Sequence, residues 1–228
     1  MASVRSFVKP LRLFRYRSLE EIDRELSAIE HCYIHCSSYD DLNDPMEGLF
    51  SSSRTLKESE GYRALRNEIR HTKREIGVCS FSEVHNHAAM WAYYADQYRG
   101  MCVSYSLTKL LKHLSRGVDF VRMAYVEEMP TVRRTKDGAV KLAKSILSCK
   151  HYQWLHEREW RMLAPLGNGH YHEVGCVTRI YLGSKVEAVK RGRVIELAER
   201  LGIAVSEMNV DEYRISFSEL SPDLSEQS

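Results

Sequence analysis

The chain has 228 residues, 43% of them hydrophobic and 28% charged, with a formal net charge of +2. That length has room for a substantial core, and the near balance of charge excludes a global pull toward nucleic acid or an acidic membrane. No apolar run reaches the roughly 20 residues that span a bilayer, and the opening MASVRSFVKP lacks an apolar signal core, so the sequence reads as cytoplasmic with no membrane partner.

Residues Leu11–Arg17 alternate and predict a first strand. Ser18, with Glu21 three residues on, reads as a capping box for a helix running to about Glu30. Residues 31–37 read as a second strand. There Cys32, Ile34 and Cys36 share one face, and His31, Tyr33 and His35 the other. The segment SSYDDLNDP is rich in turn formers, residues 54–74 are helix-compatible, and Ile76–Ser82 is a short apolar strand. Asn86 is placed to cap a helix over HAAMWAYYADQY that Gly100 ends, and Met101–Ser106 returns as a strand.

Val118–Val126 predicts a further strand and Pro130–Gly138 a basic loop. Ala139–Tyr152 predicts a helix with an apolar stripe of Val140, Ala143, Ile146 and Leu147. The strand Glu157–Leu163 follows, then the turn LGNGH at 166–170. Val177–Leu182 is a strand, Val186–Leu201 a helix ending at Gly202, and Ile203–Met208 and Tyr213–Phe217 are the last strands. Strands and helices mix without a regular repeat. The expected fold is one compact α+β domain over residues 1–220, with mixed, mostly antiparallel sheets flanked by helices and a polar tail at 221–228. The six cysteines, at 32, 36, 79, 102, 149 and 176, contain no C-x-x-C pair; they read as reduced core thiols, without disulfide or zinc site.

The densest chemistry lies at WLHEREWRML, 154–163. On a strand, Glu157, Glu159 and Arg161 share one face, and Trp160 and Met162 anchor the other. Two carboxylates beside a guanidinium form either a polar site or an ion pair. Three further segments stand out: Arg15-Tyr16-Arg17; Asn43-Asp44-Pro45 with Glu47; and Phe81-Ser82-Glu83 followed by a helix bearing Trp91 and Tyr94. Each has a plain structural reading as well: Tyr16, Trp91 and Tyr94 as core aromatics, Asn43-Asp44 as a turn, Arg15 as an ion-pair partner.

Taken together, LFRYRS at 13–18, NDPMEG at 43–48, CSFSE at 79–83, MWAYYADQYRGMCVSY at 90–105 and WLHEREWRM at 154–162 resemble a bacterial family known as domain of unknown function 2971. That family name implies no activity. The order of elements also resembles the ADP-ribosyltransferase fold, in which a first strand carries His or Arg, a short strand ends in an aromatic and Ser or Thr before a helix, and a late strand carries a glutamate. Arg15, Phe81-Ser82, the helix from Ala88 to Tyr94, and Glu159 match those positions. Glu157, two residues before Glu159, is similar to the Glu-x-Glu of some such enzymes. The first strand reads Arg-Tyr-Arg where many members have His-x-Thr, and neither the NDP segment nor Trp91 has a counterpart.

The resemblance implies an enzyme that takes NAD as substrate, with no metal, and transfers ADP-ribose to a nucleic-acid or protein acceptor. Toxins and anti-phage effectors are its usual settings. Glu159 would steady the oxocarbenium-like transition state, Glu157 would serve the acceptor and Arg15 the pyrophosphate or the adenosine ribose. Tyr16, Asn43, Asp44, Phe81, Ser82, Trp91, Tyr94 and Arg161 would line the substrate site. Two other readings stay open. One is a non-catalytic nucleotide- or nucleic-acid-binding module using Arg133, Arg134, Lys136, Lys141, Lys144, Lys185, Lys190, Arg191 and Arg193. The other is a metal-dependent hydrolase using Asp40, Asp41, Asp44 and Glu47. The sequence names neither the acceptor nor the oligomeric state.

Overall fold

A computed structural model describes residues 9–114, 117–133, 136–170, 173 and 175–220. The tail at 221–228, most of the MASVRSFVKP opening and Arg134 lie outside the described residues. In chain order the elements are β1 (Arg12–Arg17), α1 (Ile22–Glu30), β2 (Ile34–Cys36), β3 (Ser51–Ser52), α2 (Arg54–Lys57), α3 (Tyr62–Glu75), β4 (Ile76–Ser82), α4 (Ala88–Tyr94), β5 (Met101–Ser106) and α5 (Leu107–Lys112). There follow β6 (Asp119–Arg122), β7 (Ala124–Val126), β8 (Thr131–Val132), α6 (Ala139–Ile146), β9 (Cys149–His151), β10 (Glu159–Pro165), β11 (Gly167–Gly169), β12 (Val177–Leu182), α7 (Ala188–Leu201), β13 (Ala204–Asp211) and β14 (Arg214–Glu219). Short 3-10 turns span Tyr39–Asp41 and Tyr152–Glu157. The fold is α+β with a large mixed sheet.

The chain divides into two compact units. The described parts of Met1–Cys32, Ser82–His113 and Tyr171–Ser228 form the first, and those of Tyr33–Phe81 and Leu114–His170 the second. In the first unit five strands run in the order β14-β13-β12-β5-β1, antiparallel except for the parallel β12–β13 pair. Alternation along β1 sends Phe14 and Tyr16 into a cluster with Met90, Trp91, Ala95, Cys102, Tyr181 and Met208. Arg15 and Arg17, of opposite parity, leave on the other face, where Arg17 grips the buried Glu25 through two hydrogen bonds of 2.6 and 2.5 Å.

In the second unit β4, β10 and β6 are successive neighbours, and β10 pairs antiparallel with β6 through Trp160↔Arg122 and Met162↔Phe120. Three two-stranded ribbons join β2 to β11, β3 to β8 and β7 to β9. One core cluster holds Ile76, Val78, Ala143, Leu147 and Leu163.

Several boundaries differ from the sequence reading, each for a local reason. The first helix begins at Ile22, because Ser18 Oγ accepts from the Glu20 amide and closes a turn ahead of it. Residues 54–74 hold two helices, parted at Gly61, which has φ +80°. The second strand starts only at Ile34, after Cys32 turns through φ 55°. The predicted strand at 118–126 breaks at Met123, where the chain leaves β10 as partner and takes up β9. The predicted helix over Ala139–Tyr152 stops at Ile146, and residues 149–151 pair with β7 instead. Its apolar side is Ala139, Ala143, Ile146 and Leu147, while Val140 is 57% exposed. The LGNGH segment contributes β11 rather than only a turn. Asn86 does not cap α4, whose N-cap is His87.

That helix also ends early, at Tyr94, and the exit is unusual. Asp96, Gln97 and Tyr98 all lie in the left-handed region, at φ 45°, 51° and 73°. Non-glycine residues there cost on the order of 1 kcal/mol each. In return the amides of Gln97, Tyr98 and Gly100 reach the carbonyls of Ala92, Trp91 and Ala95, which the helix end leaves without partners. Gly100 closes this turn against β1, and a Cβ there would lie 2.1 Å from the Arg17 carbonyl oxygen. Gly192, inside α7, has open space instead. Chemical denaturation should therefore show opposite signs. Gly100→Ala should lose about 3 kcal/mol or more through backbone overlap, and Gly192→Ala should gain about 0.5–1 kcal/mol through helix propensity.

Candidate functional site

The second unit contains five charged side chains buried together: Glu47, Lys150, Glu157, Glu159 and Arg161, none more than 8% exposed. Arg161 sits on β10 and is fully buried. Its Nε donates to Glu159 Oε1 at 2.6 Å, and its Nη2 to Glu159 Oε2 at 3.2 Å and Glu47 Oε1 at 2.6 Å. Its Nη1 donates to Glu47 Oε2 and to the Leu147 carbonyl, both at 2.9 Å. All five guanidinium N–H groups are thereby satisfied, which is the condition for burying this ion at tolerable cost.

Lys150 on β9 completes the group. Its ammonium donates to Glu157 at 2.6 Å and Glu159 at 3.1 Å, lies 3.5 Å from Glu47, and sits 5.1 Å from the centre of the Trp154 ring. Glu159 also accepts from Ser80 Oγ at 2.5 Å, so its two oxygens take four bonds between them. Tyr125 Oη accepts the Glu159 backbone N–H at 2.7 Å and pins the start of β10.

Glu157 does not reach this cluster as a strand residue. It ends the 3-10 turn Tyr152–Glu157, and Arg158 then adopts φ 45°, ψ 50°. That left-handed residue turns the chain so that the two glutamates converge on one ammonium. From Glu159 onward the parity reading matches the geometry: Glu159, Arg161 and Leu163 share a face, with Trp160 and Met162 buried on the other.

Electrostatics follow from burial and partners. Burial alone would raise the Glu159 carboxyl; the Arg161 and Lys150 charges, with hydrogen bonds from Arg161 and Ser80, outweigh it and hold the pKa down from 4.5 to about 2. Burial would depress Lys150, but Glu159 and Glu157 hold it above its ordinary value. Arg161 is raised likewise, against its own burial, by Glu159 and Glu47. Burial pushes the Tyr125 hydroxyl up to about 12.

The other expected site residues have these places. Asn43 is exposed, and the buried Asp44 accepts the Met46 amide at 2.9 Å, forming a turn that presents Glu47 to Arg161. Phe81 is buried against Phe120, with ring centres 5.3 Å apart. In the first unit, Ser82 is buried and accepts the Val84 amide at 3.1 Å. Tyr16 meets Trp91 edge-on at 5.3 Å and donates to the Val84 carbonyl. Trp91 is fully buried, with its indole N–H on the His85 carbonyl, and Tyr94 packs at the margin of the same cluster. Tyr16 and Trp91 therefore serve as core here, not as open ligand surface. Arg15 faces away from Tyr16, close enough to help hold Glu25 ionised.

The sequence reading missed Lys150, Ser80, Tyr125 and Trp154. Lys150 falls inside the predicted helix over Ala139–Tyr152, and Ser80 carries no local signal that sets it apart from Ser82. Glu47, weighed there as a metal ligand, is bound by Arg161. Among the described residues no group of three or more His, Cys, Asp or Glu is arranged to hold a metal. Of the basic candidates, Lys141, Lys144, Arg191 and Arg193 pair with Asp137, Asp119, Glu207 and Asp23. No helix among the described residues is long and apolar enough to cross a membrane.

A family model described as "Protein of unknown function (DUF2971)" matches residues 90–162, about a third of the chain, and so supports that resemblance. The match takes in Lys150, Glu157, Glu159 and Arg161, and leaves out Glu47 and Ser80. No curated protein and no solved structure matches the chain.

Two outcomes follow. The Glu159 contribution is complete above about pH 4.5, where the unfolded carboxyl is ionised, and is lost as pH falls toward 2. Urea unfolding from pH 5 to pH 3 should cost wild type about 2 kcal/mol more than it costs Glu159→Gln. At the bend, Arg158→Gly should stabilise the protein by roughly 1 kcal/mol, and Arg158→Val should destabilise it by at least as much, because only glycine takes that backbone without strain.

Proposed function

We propose that the protein is a cytoplasmic ADP-ribosyltransferase-like enzyme that cleaves NAD and passes ADP-ribose to a macromolecular acceptor, in a toxin or anti-phage setting. The observation that supports this reading most is the 2.5 Å hydrogen bond from Ser80 Oγ to Glu159. It joins the short strand ending in Phe81-Ser82 to the strand with the late glutamate, two of the four segments that carry the resemblance.

The chemistry suits the groups. Breaking the bond between nicotinamide and ribose builds positive charge on the sugar, and a carboxylate held ionised stabilises it. Glu159 is such a carboxylate, with Ser80 and Arg161 fixing its plane. Its four acceptor positions are filled, so a ribose hydroxyl has to displace one bond. The 3.1 Å bond from Lys150 is the candidate, because Lys150 keeps its 2.6 Å bond to Glu157 when it leaves. Glu157 is assigned to the acceptor side.

A second reading is favoured by one specific observation. Arg161 has all five donors used and Glu159 all four acceptor positions, within a region closed to solvent. A network so complete holds a fold together without any reaction, which favours a non-catalytic reading of these residues.

A mass-spectrometric NAD-consumption assay with protein and nucleic-acid acceptors separates the two. Wild type should release nicotinamide, and Glu159→Gln should slow release by about 100-fold or more at retained secondary structure, the size of effect seen when one transition-state charge contact is lost. Glu157→Gln should impair transfer more than hydrolysis. If wild type neither binds nor consumes NAD while Glu159→Gln is destabilised, the network is structural.

A further inference from the structure

Helix α3 buries one side and leaves a row of arginines on another. Ile69 is buried, and Leu65 and Tyr62 pack with it in a cluster that includes Ala139 and Ile146 of α6. Round the helix from this side stand Arg63, Arg66, Arg70 and Arg74. Spacings of three, four and four residues set them in one row, about 16 Å long at 1.5 Å per residue. Arg63, Arg70 and Arg74 are exposed and Arg66 is half-exposed. Asn67, on the same stripe, is exposed and uncharged.

The carboxylates around the row are directed elsewhere. Among the described residues Arg63, Arg66 and Arg70 enter no ion pair and no side-chain hydrogen bond. Arg74 lies 3.6 Å from Asp40, a surface contact of the kind that contributes little. The acids of α3 itself, Glu68 and Glu75, lie about 100° or more round the helix from each of the four arginines. Glu75 pairs with His71, and Glu58, ahead of the helix, with Arg54. Like charges three and four residues apart destabilise a helix. No contact within the described residues offsets this for the first three arginines.

We infer that this row binds the phosphate backbone of a nucleic acid. Four guanidinium groups without a matching acid select an anion, and their planar forks fit phosphate oxygens two at a time. Their arrangement selects a linear one: a compact anion cannot reach groups spread over about 16 Å, whereas phosphates recur about every 3.4 Å along the axis for each strand of a duplex. A membrane surface fits less well, because the apolar side of α3 is spent on the core and has nothing to insert. With only Asn67 to reach a base edge, the contact is to backbone rather than to sequence. The net charge of +2 does not oppose this, since the row is a local excess. The inference does not rest on NAD chemistry, although α3 belongs to the unit that holds Glu159.

Fluorescence anisotropy of labelled 20-base-pair DNA and RNA duplexes, titrated with the full-length protein, tests it. At least one duplex should bind with a Kd of roughly 1–100 μM at physiological salt, the tighter of the two identifying the nucleic acid. The plot of log affinity against log salt should fall with a slope of about −3, near 0.9 for each phosphate contact. Arg63→Gln with Arg70→Gln should keep the unfolding midpoint, weaken binding about tenfold or more and bring the slope to about −1. Lys136→Gln with Lys185→Gln removes the same charge from two other exposed sites and should change binding less than about twofold. Absence of binding to both duplexes up to about 200 μM at low salt, a slope unmoved by the arginine substitutions, or an equal loss from the lysine substitutions overturns the site. So does polyglutamate or a phosphatidylserine vesicle that competes as well, charge for charge, as unlabelled duplex.

Discussion

A guanidinium ion without solvent is the constraint to which the second unit is built. Burying it unpaired would be prohibitive, and breaking a buried pair typically costs about 3–5 kcal/mol. The protein meets this by supplying an acceptor for every Arg161 N–H, and those acceptors come from distant parts of the chain: Glu47 from the loop after the Tyr39–Asp41 turn, Leu147 from the end of α6, and Glu159 from β10 itself. Satisfying one ion therefore fixes three segments. It also explains why β10 is buried on both faces although it carries charges, since the face that reads as polar is covered by its own counter-ions.

The loop that delivers Glu47 shows how this propagates. Asp44 accepts the Met46 amide, and Gly48, at φ +68°, turns the chain where a Cβ would press on Tyr39 and Lys73. The Lys73 ammonium, only 4% exposed, donates to the Gly48 carbonyl and lies 4.4 Å from the centre of the Tyr39 ring. Burial lowers the pKa of Lys73 from its ordinary value, and the aromatic face and the carbonyl replace part of its lost hydration. One side of the loop is thus tied to α3 and the other to β10. The NDPMEG segment reads in sequence as a turn with spare acids; in the fold, each of its two buried acids has a specific partner.

Alternation was enough to find most strands, and it placed Trp160 and Met162 opposite Arg161. It failed where one residue leaves the regular backbone. Arg158 in the left-handed region is invisible to a parity count, which therefore places Glu157 in a strand that it precedes. The partners of the charged residues were less legible still. Ser80 lies 79 positions from Glu159, and Glu47 lies 114 from Arg161. Nothing in local periodicity marks such pairs, because their energetic reason, the desolvation of charge, exists only once the core has formed. Lys150 was hidden differently: the apolar stripe of α6 invited extension to Tyr152, while Cys149–His151 gained more by pairing with β7. In the first unit Trp91 and Tyr16, to which only the resemblance gives a ligand role, fill the core against each other, as their plain aromatic reading expects.

The two cations of the network are not equivalent, and this decides how any chemistry at Glu159 would have to proceed. Arg161 is locked by geometry: moving it would leave five donors without acceptors and take two hydrogen bonds from each of Glu47 and Glu159 at once. Lys150 has a compact head and a flexible stem, lies on a three-residue strand, and holds its carboxylates at 2.6, 3.1 and 3.5 Å. Its withdrawal from Glu159 would leave that carboxylate with both Arg161 bonds and the Ser80 bond, still ionised and still oriented. Three carboxylates against two cations leave the cluster one formal negative charge, so a ligand group bearing developing positive charge would meet a favourable field there once Lys150 yields its place. The same arithmetic makes the closed arrangement stable without a ligand, because in it each carboxylate keeps at least one short bond to a cation. Arg161 is then the permanent part of the construction, and Lys150 is the side chain through which a polar site of this kind could open.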